Sequence, residues 1–423
     1  MLEWTCYSGV LQRPRGYEYY IGPHAPGVKK LLFMELDAKL DLLAEAAQYD
    51  LCATFARGGR RFTPKAASWA APEVDEPDRR GRPVFRVLMS SQCAWNCAYC
   101  PLRAAQDVPR AALTPEELAK AFLPRYEAGA VQGLFVSTAV HGDVGQAVGR
   151  MLDGVELLRT AHGYTGYVHV KLLPGAAPSD VERAARLADR LSLNLEAPSA
   201  EHLARISPER SWGRDLVERL LWARDWMRAG MVPSGLATQF VVGAAGERDR
   251  DLLGTGSWLY RELGLRRVYF GAFRPVAGTP LAGVDRTPQA RVQRLTQADW
   301  MLRQYGFAQS ELPFGAEGDL PLHLDPKLAW ALAHPERFPI ELNTASPEEL
   351  LRVPGIGPTS VQRILRLRRL HLFRELSHLM SLGTQAGRAR DFVTLDGRYY
   401  GRTRAELERA LAPRPVVEQL PLF

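Results

Sequence analysis

The chain has 423 residues, 46% of them hydrophobic and 24% charged, with a formal net charge of +7. That balance excludes a disordered or low-complexity polypeptide and allows two or three domains with cores of their own. No apolar run approaches the roughly 20 residues that span a bilayer, and the opening MLEWTCYSGV lacks the charged-then-apolar order of a secretory signal, so a cytoplasmic protein without a membrane partner is expected. Most of the positive charge is Arg, whose planar fork suits phosphate. A nucleic-acid partner fits this, although genomic base composition also enriches Arg.

Residues 1–36 show no period, and their fold is left open. Residues 35–50, ELDAKLDLLAEAAQYD, carry Leu and Ala at helical spacing. Residues 55–83 are polar, with ARGGRR and EPDRRGRP, and read as a loop or linker. From Pro83 to Leu281 strand and helix alternate. Strands are predicted at 84–89, 133–138, 167–172, 191–196, 236–242 and 267–273. Capping boxes are expected at Thr114 with Glu117, Ser179 with Glu182 and Ser346 with Glu349.

Six strands alternating with helices imply a parallel sheet with right-handed crossovers, either open or rolled into a barrel. In LSLNLE the residues Leu191, Leu193 and Leu195 share one face and Ser192, Asn194 and Glu196 the other. In YVHVKL the residues Val168, Val170 and Leu172 oppose Tyr167, His169 and Lys171. The apolar faces belong under the helices. The polar faces then point inward, as in a partly open barrel with a ligand at its mouth; an edge strand with one wet face is the alternative. Residues 287–305 read as a helix and 306–340 as Pro-rich and irregular. From Glu341 onward there are 13 Arg, no Lys and nine acids.

Of five cysteines, Cys93, Cys97 and Cys100 fall within the nine residues QCAWNCAYC, and Cys6 and Cys52 stand apart. So few thiols in a long cytosolic chain do not make a disulfide framework. Structural zinc takes four ligands, commonly two separated pairs; no second pair exists, and nothing in the spacing of His141 recommends it as a fourth. Three thiolates suit a 4Fe–4S cubane with one iron left open to a cofactor or substrate. The arrangement Cys93-x3-Cys97-x-Tyr99-Cys100, directly after the first predicted strand, resembles the signature of radical S-adenosylmethionine enzymes.

The resemblance covers residues 83–281. It implies a partial (β/α)6 TIM-type barrel, a 4Fe–4S cluster on Cys93, Cys97 and Cys100, and S-adenosyl-L-methionine chelated at the open iron. It also implies one-electron cleavage of that cofactor to a 5′-deoxyadenosyl radical and an electron donor such as flavodoxin or ferredoxin. Tyr99 matches the aromatic residue beside the adenine, and Val242 with Gly243, in VVGAAGE, resembles the adenine-binding segment. Asn194 or Glu196 matches the ribose contact, and Lys171 is placed for the carboxylate. Ser137 and Thr138 stand where the family often has two glycines and a glutamate for the amino group, a departure from its pattern. A mutual ion pair is the alternative reading of Lys171 and Glu196. Cys52 is a candidate hydrogen donor to a product radical, or equally a small buried side chain at a helix end.

LNTASPEELLRVPGIGPTSVQRILRLRR (342–369) reads as a short helix, a tight turn with two glycines and a second helix. From Leu350 to Arg374 there are six arginines and no acid. It resembles the helix-hairpin-helix of DNA-binding proteins, which grips the sugar-phosphate backbone with little sequence information. Gly355, Gly357, Thr359 and Arg363 are the phosphate-contact candidates, and an ordinary helical hairpin with a solvated Arg face is the alternative. The segment 373–393 is expected to pack beside it. The C-terminal Gln419, Leu420, Leu422 and Phe423, in QLPLF, resemble the pentapeptide that binds the bacterial sliding clamp, with Pro421 where Ser or Asp is usual.

The expected organisation is an N-terminal extension and helix (1–82), a barrel (83–281), a connecting segment (282–340), an all-α helix-hairpin-helix domain (341–412) and a tail (413–423). Core and hairpin together resemble a bacterial family of DNA modification or repair radical S-adenosylmethionine proteins, over roughly residues 36–395. The expected function is radical repair or modification of DNA. An RNA-modifying enzyme and a non-catalytic DNA-binding iron–sulfur protein are the alternatives.

Overall fold

The computed structural model describes residues 35–47 and 83–411 apart from Gly383, together with four short strands: β1 Cys6–Tyr7, β2 Val10–Gln12, β3 Glu18–Tyr20 and β4 Ala70–Pro72. Strands β1, β2 and β3 pair as a small antiparallel sheet. Cys52 and the segment 419–423 lie outside the described residues. The first helix runs over Leu36–Ala47 and buries Leu40, Leu43, Ala44 and Ala47.

Six strands form the expected parallel sheet: β5 Pro83–Leu88, β6 Gly133–Ser137, β7 Tyr167–Lys171, β8 Arg190–Ser192, β9 Leu236–Val242 and β10 Arg267–Ala272. They lie in sequence order, and β4 adds antiparallel to the β5 edge. Successive strands are joined through helices such as Pro115–Glu127, Val144–Thr160 and Asp249–Leu263. The strand alternation sorts the side chains into two sets. Phe85, Leu134, Val168, Leu191 and Phe240 join the main core with the helices. Val84, Phe135, Tyr167, Ala237 and Tyr269 form a second, separate apolar cluster. Arg86, His169, Ser192, Asn194 and Gln239 are buried as well. His169 Nε2 lies 2.8 Å from Ser192 Oγ, and its ring meets Phe135 edge-on at 4.6 Å. The sheet is therefore a partial barrel with an interior of its own.

Local chemistry explains where the structure departs from the expectation. The predicted strand 191–196 is regular only to Ser192. Thr238 Oγ donates to Leu193 O (2.8 Å) and accepts from Leu195 N (3.1 Å), so a side chain replaces a ladder bond there. Pairing resumes at a single bridge, Glu196 with Phe240, and Glu196 takes a left-handed φ of 62°. The Thr114–Glu117 and Ser346–Glu349 capping boxes form. The Ser179–Glu182 box does not: Pro178 starts the helix two residues early, with Ala177 as its cap, and Asp180 Oδ2 accepts from Ala177 N at 3.1 Å.

The helix Gln289–Gln304 packs back on β10. The stretch expected to be irregular contains the helix Pro326–Ala333, capped by Asp325 and anchored by the buried Trp330. The C-terminal unit is not all-α. Strand β11 Ile340–Glu341 pairs parallel with β12 Val393–Leu395, which pairs antiparallel with β13 Arg398–Tyr399. Glu341 ties this sheet together by accepting from Asn343 N, Thr394 Oγ and Gly397 N. These bonds hold its carboxyl below the usual carboxylate range despite partial burial, which acts the other way.

Candidate active site and nucleic-acid face

The cysteines sit on the loop that leaves the C-terminal end of β5. Ser91 fastens its base by accepting from Ala111 N at 2.9 Å. Arg110 then runs through the loop, donating to the carbonyls of Ser91, Leu102, Arg103 and Gln106 at 2.7–2.9 Å. The segment Ile206–Arg210, reading ISPER, clamps the same loop from the far side. Ala98 N donates to Ile206 O (2.8 Å) and Asn96 N to Glu209 Oε2 (2.9 Å). Ser207 Oγ lies 3.4 Å from Cys97 Sγ, and Arg210 Nη2 donates to the same sulfur at 2.6 Å.

Cys97 is buried and Cys93 and Cys100 half-buried. Burial, and the proximity of Cys97 and Cys93, push the Cys100 thiol up to about 12. Three thiolates in so small a volume repel one another and need a strong positive charge to ionise together. Among the described residues no group of three or more His, Cys, Asp or Glu could hold a metal ion. A cubane makes a different demand, because each of its three thiolates binds a different iron. The donor set therefore fits such a cluster, whose charge supplies what the thiols lack. His141, the distant zinc candidate, is half-buried, and burial together with Arg150 lowers its pKa.

Around the thiols the strand ends gather Tyr99, Glu196 and Arg210. Glu196 Oε1 lies 3.8 Å from Arg210 Nη1, and both side chains are 9% exposed. Glu196 thus has Arg210 as an ion-pair partner, which sequence reading did not propose. Glu196 Oε2 and Arg210 Nε are buried without a hydrogen-bond partner. Burial and the Glu196 carboxylate hold the Tyr99 hydroxyl well above its usual pKa. Burial works against the Arg210 charge, but the Cys97 sulfur and the Glu196 carboxylate beside it keep the guanidinium protonated.

The other cofactor candidates fall at the same strand ends. Ser137 and Thr138 are buried, and Thr138 Oγ donates to Ala139 O. Lys171 pairs in register with Ser192, and Asn194 is buried two residues before Glu196. Val242 closes β9. Gly243 follows with φ +89°, and a Cβ there would collide with Thr287 Oγ. Its N–H is taken by Glu247 Oε1 at 2.5 Å, and Arg291 fixes this turn through Glu247 O and Asp249. The turn is thus preformed, and Gly243 offers packing rather than a free donor. Arg110, Ser207, Glu209, Arg210 and Glu247 were missed in sequence. Spacing marks none of them, and one arginine in an Arg-rich chain attracts no notice.

The hairpin forms from the helices Pro347–Arg352 and Pro358–Leu367. Gly355 has φ +87°, and a Cβ there would lie 2.8 Å from Gln385 O. On its Cβ side the close neighbour is the segment 385–389 of this chain, so the glycine lets the turn close on that segment. Gly357 caps the second helix, with Tyr305 Oη 3.6 Å from where a Cβ would sit. Thr359 and Arg363 are exposed on the first turns, and Arg363 uses one donor on Leu382 O at 3.2 Å. Arg366 and Arg369 extend that exposed face.

The hairpin is seated on the preceding helices. Lys327 Nζ donates to Ile356 O at 2.6 Å, Arg388 pairs with Asp325, and Arg352 stacks 3.7 Å over Phe307 and pairs with Glu311.

No curated protein sequence matches this chain. Among solved structures it is similar to HydG, a maturase of the [FeFe]-hydrogenase, at 15% identity and TM-score 0.42, over 51% of this chain and 49% of that one. It is similar to methylornithine synthase (PylB) at 15% identity and TM-score 0.42, over 53% and 63%. It is also similar to a radical SAM methyltransferase from Sphaerobacter thermophilus at 19% identity and TM-score 0.38, over 52% and 63%. The chain thus spans half to under two thirds of the length of these structures. Residues 337–383 match the family model of the helix-hairpin-helix motif, so the chain carries that motif on its C-terminal unit.

Proposed function

We propose that this chain is a radical S-adenosylmethionine enzyme that repairs or modifies DNA. The observation that carries the reading is the three-thiol loop at the C-terminal mouth of a six-stranded partial barrel, Cys97 under Arg210, on a chain that also bears a helix-hairpin-helix. Cys93, Cys97 and Cys100 would hold the 4Fe–4S cluster. With S-adenosylmethionine bound, that group supplies reductive cleavage of a sulfonium bond and hydrogen-atom abstraction.

The residues of the chain bind, orient and exclude. Tyr99 presents a half-buried ring beside the thiols, suited to lie against a purine. Glu196 Oε2, buried and unpartnered, is placed to accept from ribose hydroxyls. Ser137, Thr138, Lys171 and Asn194 ring the same mouth and complete its polar lining, and the Val242–Gly243 turn offers an edge held rigid by Glu247. The apolar cluster of Phe135, Tyr167 and Tyr269 fills the barrel interior away from the mouth and excludes water there. At the hairpin, the first-turn N–H groups beside Gly357 and Thr359, with the Arg363 guanidinium, grip phosphates without reading sequence. Gly355 acts behind them by letting the turn close on its companion segment.

The base under attack reaches the mouth by leaving the stack. Electrons come from a low-potential flavodoxin or ferredoxin. Gln419, Leu420, Leu422 and Phe423 recruit the protein to a sliding clamp, and Cys52 is a candidate donor of the returning hydrogen.

The test is anaerobic reconstitution with iron and sulfide, reduction, and measurement of 5′-deoxyadenosine with and without damaged duplex DNA. Stimulation by the duplex is expected. Stimulation by RNA alone would transfer the reading to RNA modification. Absence of cleavage under every condition would leave a non-catalytic DNA-binding protein.

A further inference from the structure

We infer that Arg210 sets the reduction potential of the cluster and positions it against Glu196, an assignment that rests on the cluster reading above. Arg210 Nη2 is in direct contact with Cys97 Sγ and donates to it, at 2.6 Å, a charge-assisted bond closer than is usual for a sulfur acceptor. The side chain is 9% exposed. Its guanidinium lies 4.8 Å over the Trp95 ring, inside the cysteine loop itself, and 3.8 Å from the Glu196 carboxylate. Its chain neighbours add the Glu209 bond to Asn96 N and the Ser207 contact with Cys97. Cys100 Sγ, by contrast, accepts from a neutral backbone donor, Leu102 N at 3.4 Å. The cation therefore bonds one corner of the thiol tripod, Cys97, while its charge also reaches Cys100.

Reduction adds one electron, taken from a low-potential donor, and so adds one negative charge to the cluster. A fixed cation at a ligand sulfur, in surroundings of low dielectric, stabilises the more negative state. It also draws charge from the sulfur through its hydrogen bond. Both effects raise the potential and ease entry of the electron. The same guanidinium reaches Glu196, so one rigid group fixes the distance between the cluster sulfur and the carboxylate that faces the cofactor. The unpartnered Nε of Arg210 and Oε2 of Glu196 leave hydrogen-bonding capacity at this junction for that ligand.

The test is an EPR-monitored redox titration of the anaerobically reconstituted full chain, comparing wild type with Arg210→Lys, Arg210→Gln and Arg210→Met. The midpoint is expected to shift down in the Met and Gln variants, well beyond titration error, and to stay near wild type in Lys, which keeps the charge. A wild-type midpoint in Met or Gln would overturn the inference. If Met and Gln fail to hold a cluster while Lys holds one with a near-wild-type midpoint, the requirement for the charge stands. If all three lose it, Arg210 serves folding alone and the inference is wrong. Wild-type protein that takes up no 4Fe–4S cluster defeats the underlying reading before any variant is compared.

Discussion

Two glycines and three cysteines carry most of what can be tested one side chain at a time. Gly355 sits at φ +87° with Gln385 O 2.8 Å from its missing Cβ. Gly355→Ala meets a left-handed penalty of about 1–2 kcal/mol and a backbone clash as well, so a urea melt should show a loss of about 2 kcal/mol or more. Gly243→Ala would drive its Cβ into Thr287 Oγ. The hydroxyl is locked onto Val242 O, so the turn must shift and affinity for S-adenosylmethionine should fall. Calorimetric titration of the reconstituted protein checks this, and unchanged affinity would remove Val242–Gly243 from the cofactor site. At the tripod, replacing any one of Cys93, Cys97 or Cys100 by Ala should abolish the broad absorbance of the cluster and cofactor cleavage together. Retention of the full cluster in a single-cysteine variant would refute the ligand set.

Among the elements, the hairpin is the most exposed to test. The Ser346–Glu349 box satisfies two helix-end N–H groups, with bonds of 3.1 and 2.7 Å. Ser346→Ala should lower stability by about 1 kcal/mol, as measured by denaturant midpoint. The exposed face of the second helix presents Thr359, Arg363 and Arg366. If Arg363 and Arg366 each neutralise a phosphate, the double Ala variant should weaken duplex binding across sequences. It should also reduce the slope of log affinity against log salt by about one for each phosphate left without its arginine. An unchanged slope would leave those arginines as a solvated face. The cysteine loop is built the opposite way: it contributes the thiols, while Arg110 and the distant ISPER segment contribute its shape.

At the scale of the whole molecule, the junction between hairpin and barrel side is held by Lys327. Burial, and then the Arg352 charge, lower its pKa to about 7. A free lysine titrates near 10.4, so between these values the unfolded chain binds more protons than the folded one. Stability should therefore rise as pH increases from about 7 toward 10. Lys327→Met should flatten that rise in thermal melts taken across the range, and an equal rise in both proteins would reject the assignment.

The legibility of the chain follows the range of the interactions that shape it. The alternation of apolar and polar residues at period two, the Thr114 and Ser346 boxes and the spacing of Cys93, Cys97 and Cys100 are local, so sequence alone determined the six-stranded α/β core, the thiol loop after its first strand and the hairpin. The rest depends on partners far apart in the chain. Thr238, 45 residues from Leu193, broke the fourth strand. Residue 393 pairing with 340 turned an all-helical unit into one with a sheet. Arg210, 113 residues from Cys97, was brought onto a sulfur. A side chain's role as donor or counter-charge depends on what folding places within about 3 Å of it, and only the tertiary structure decides that.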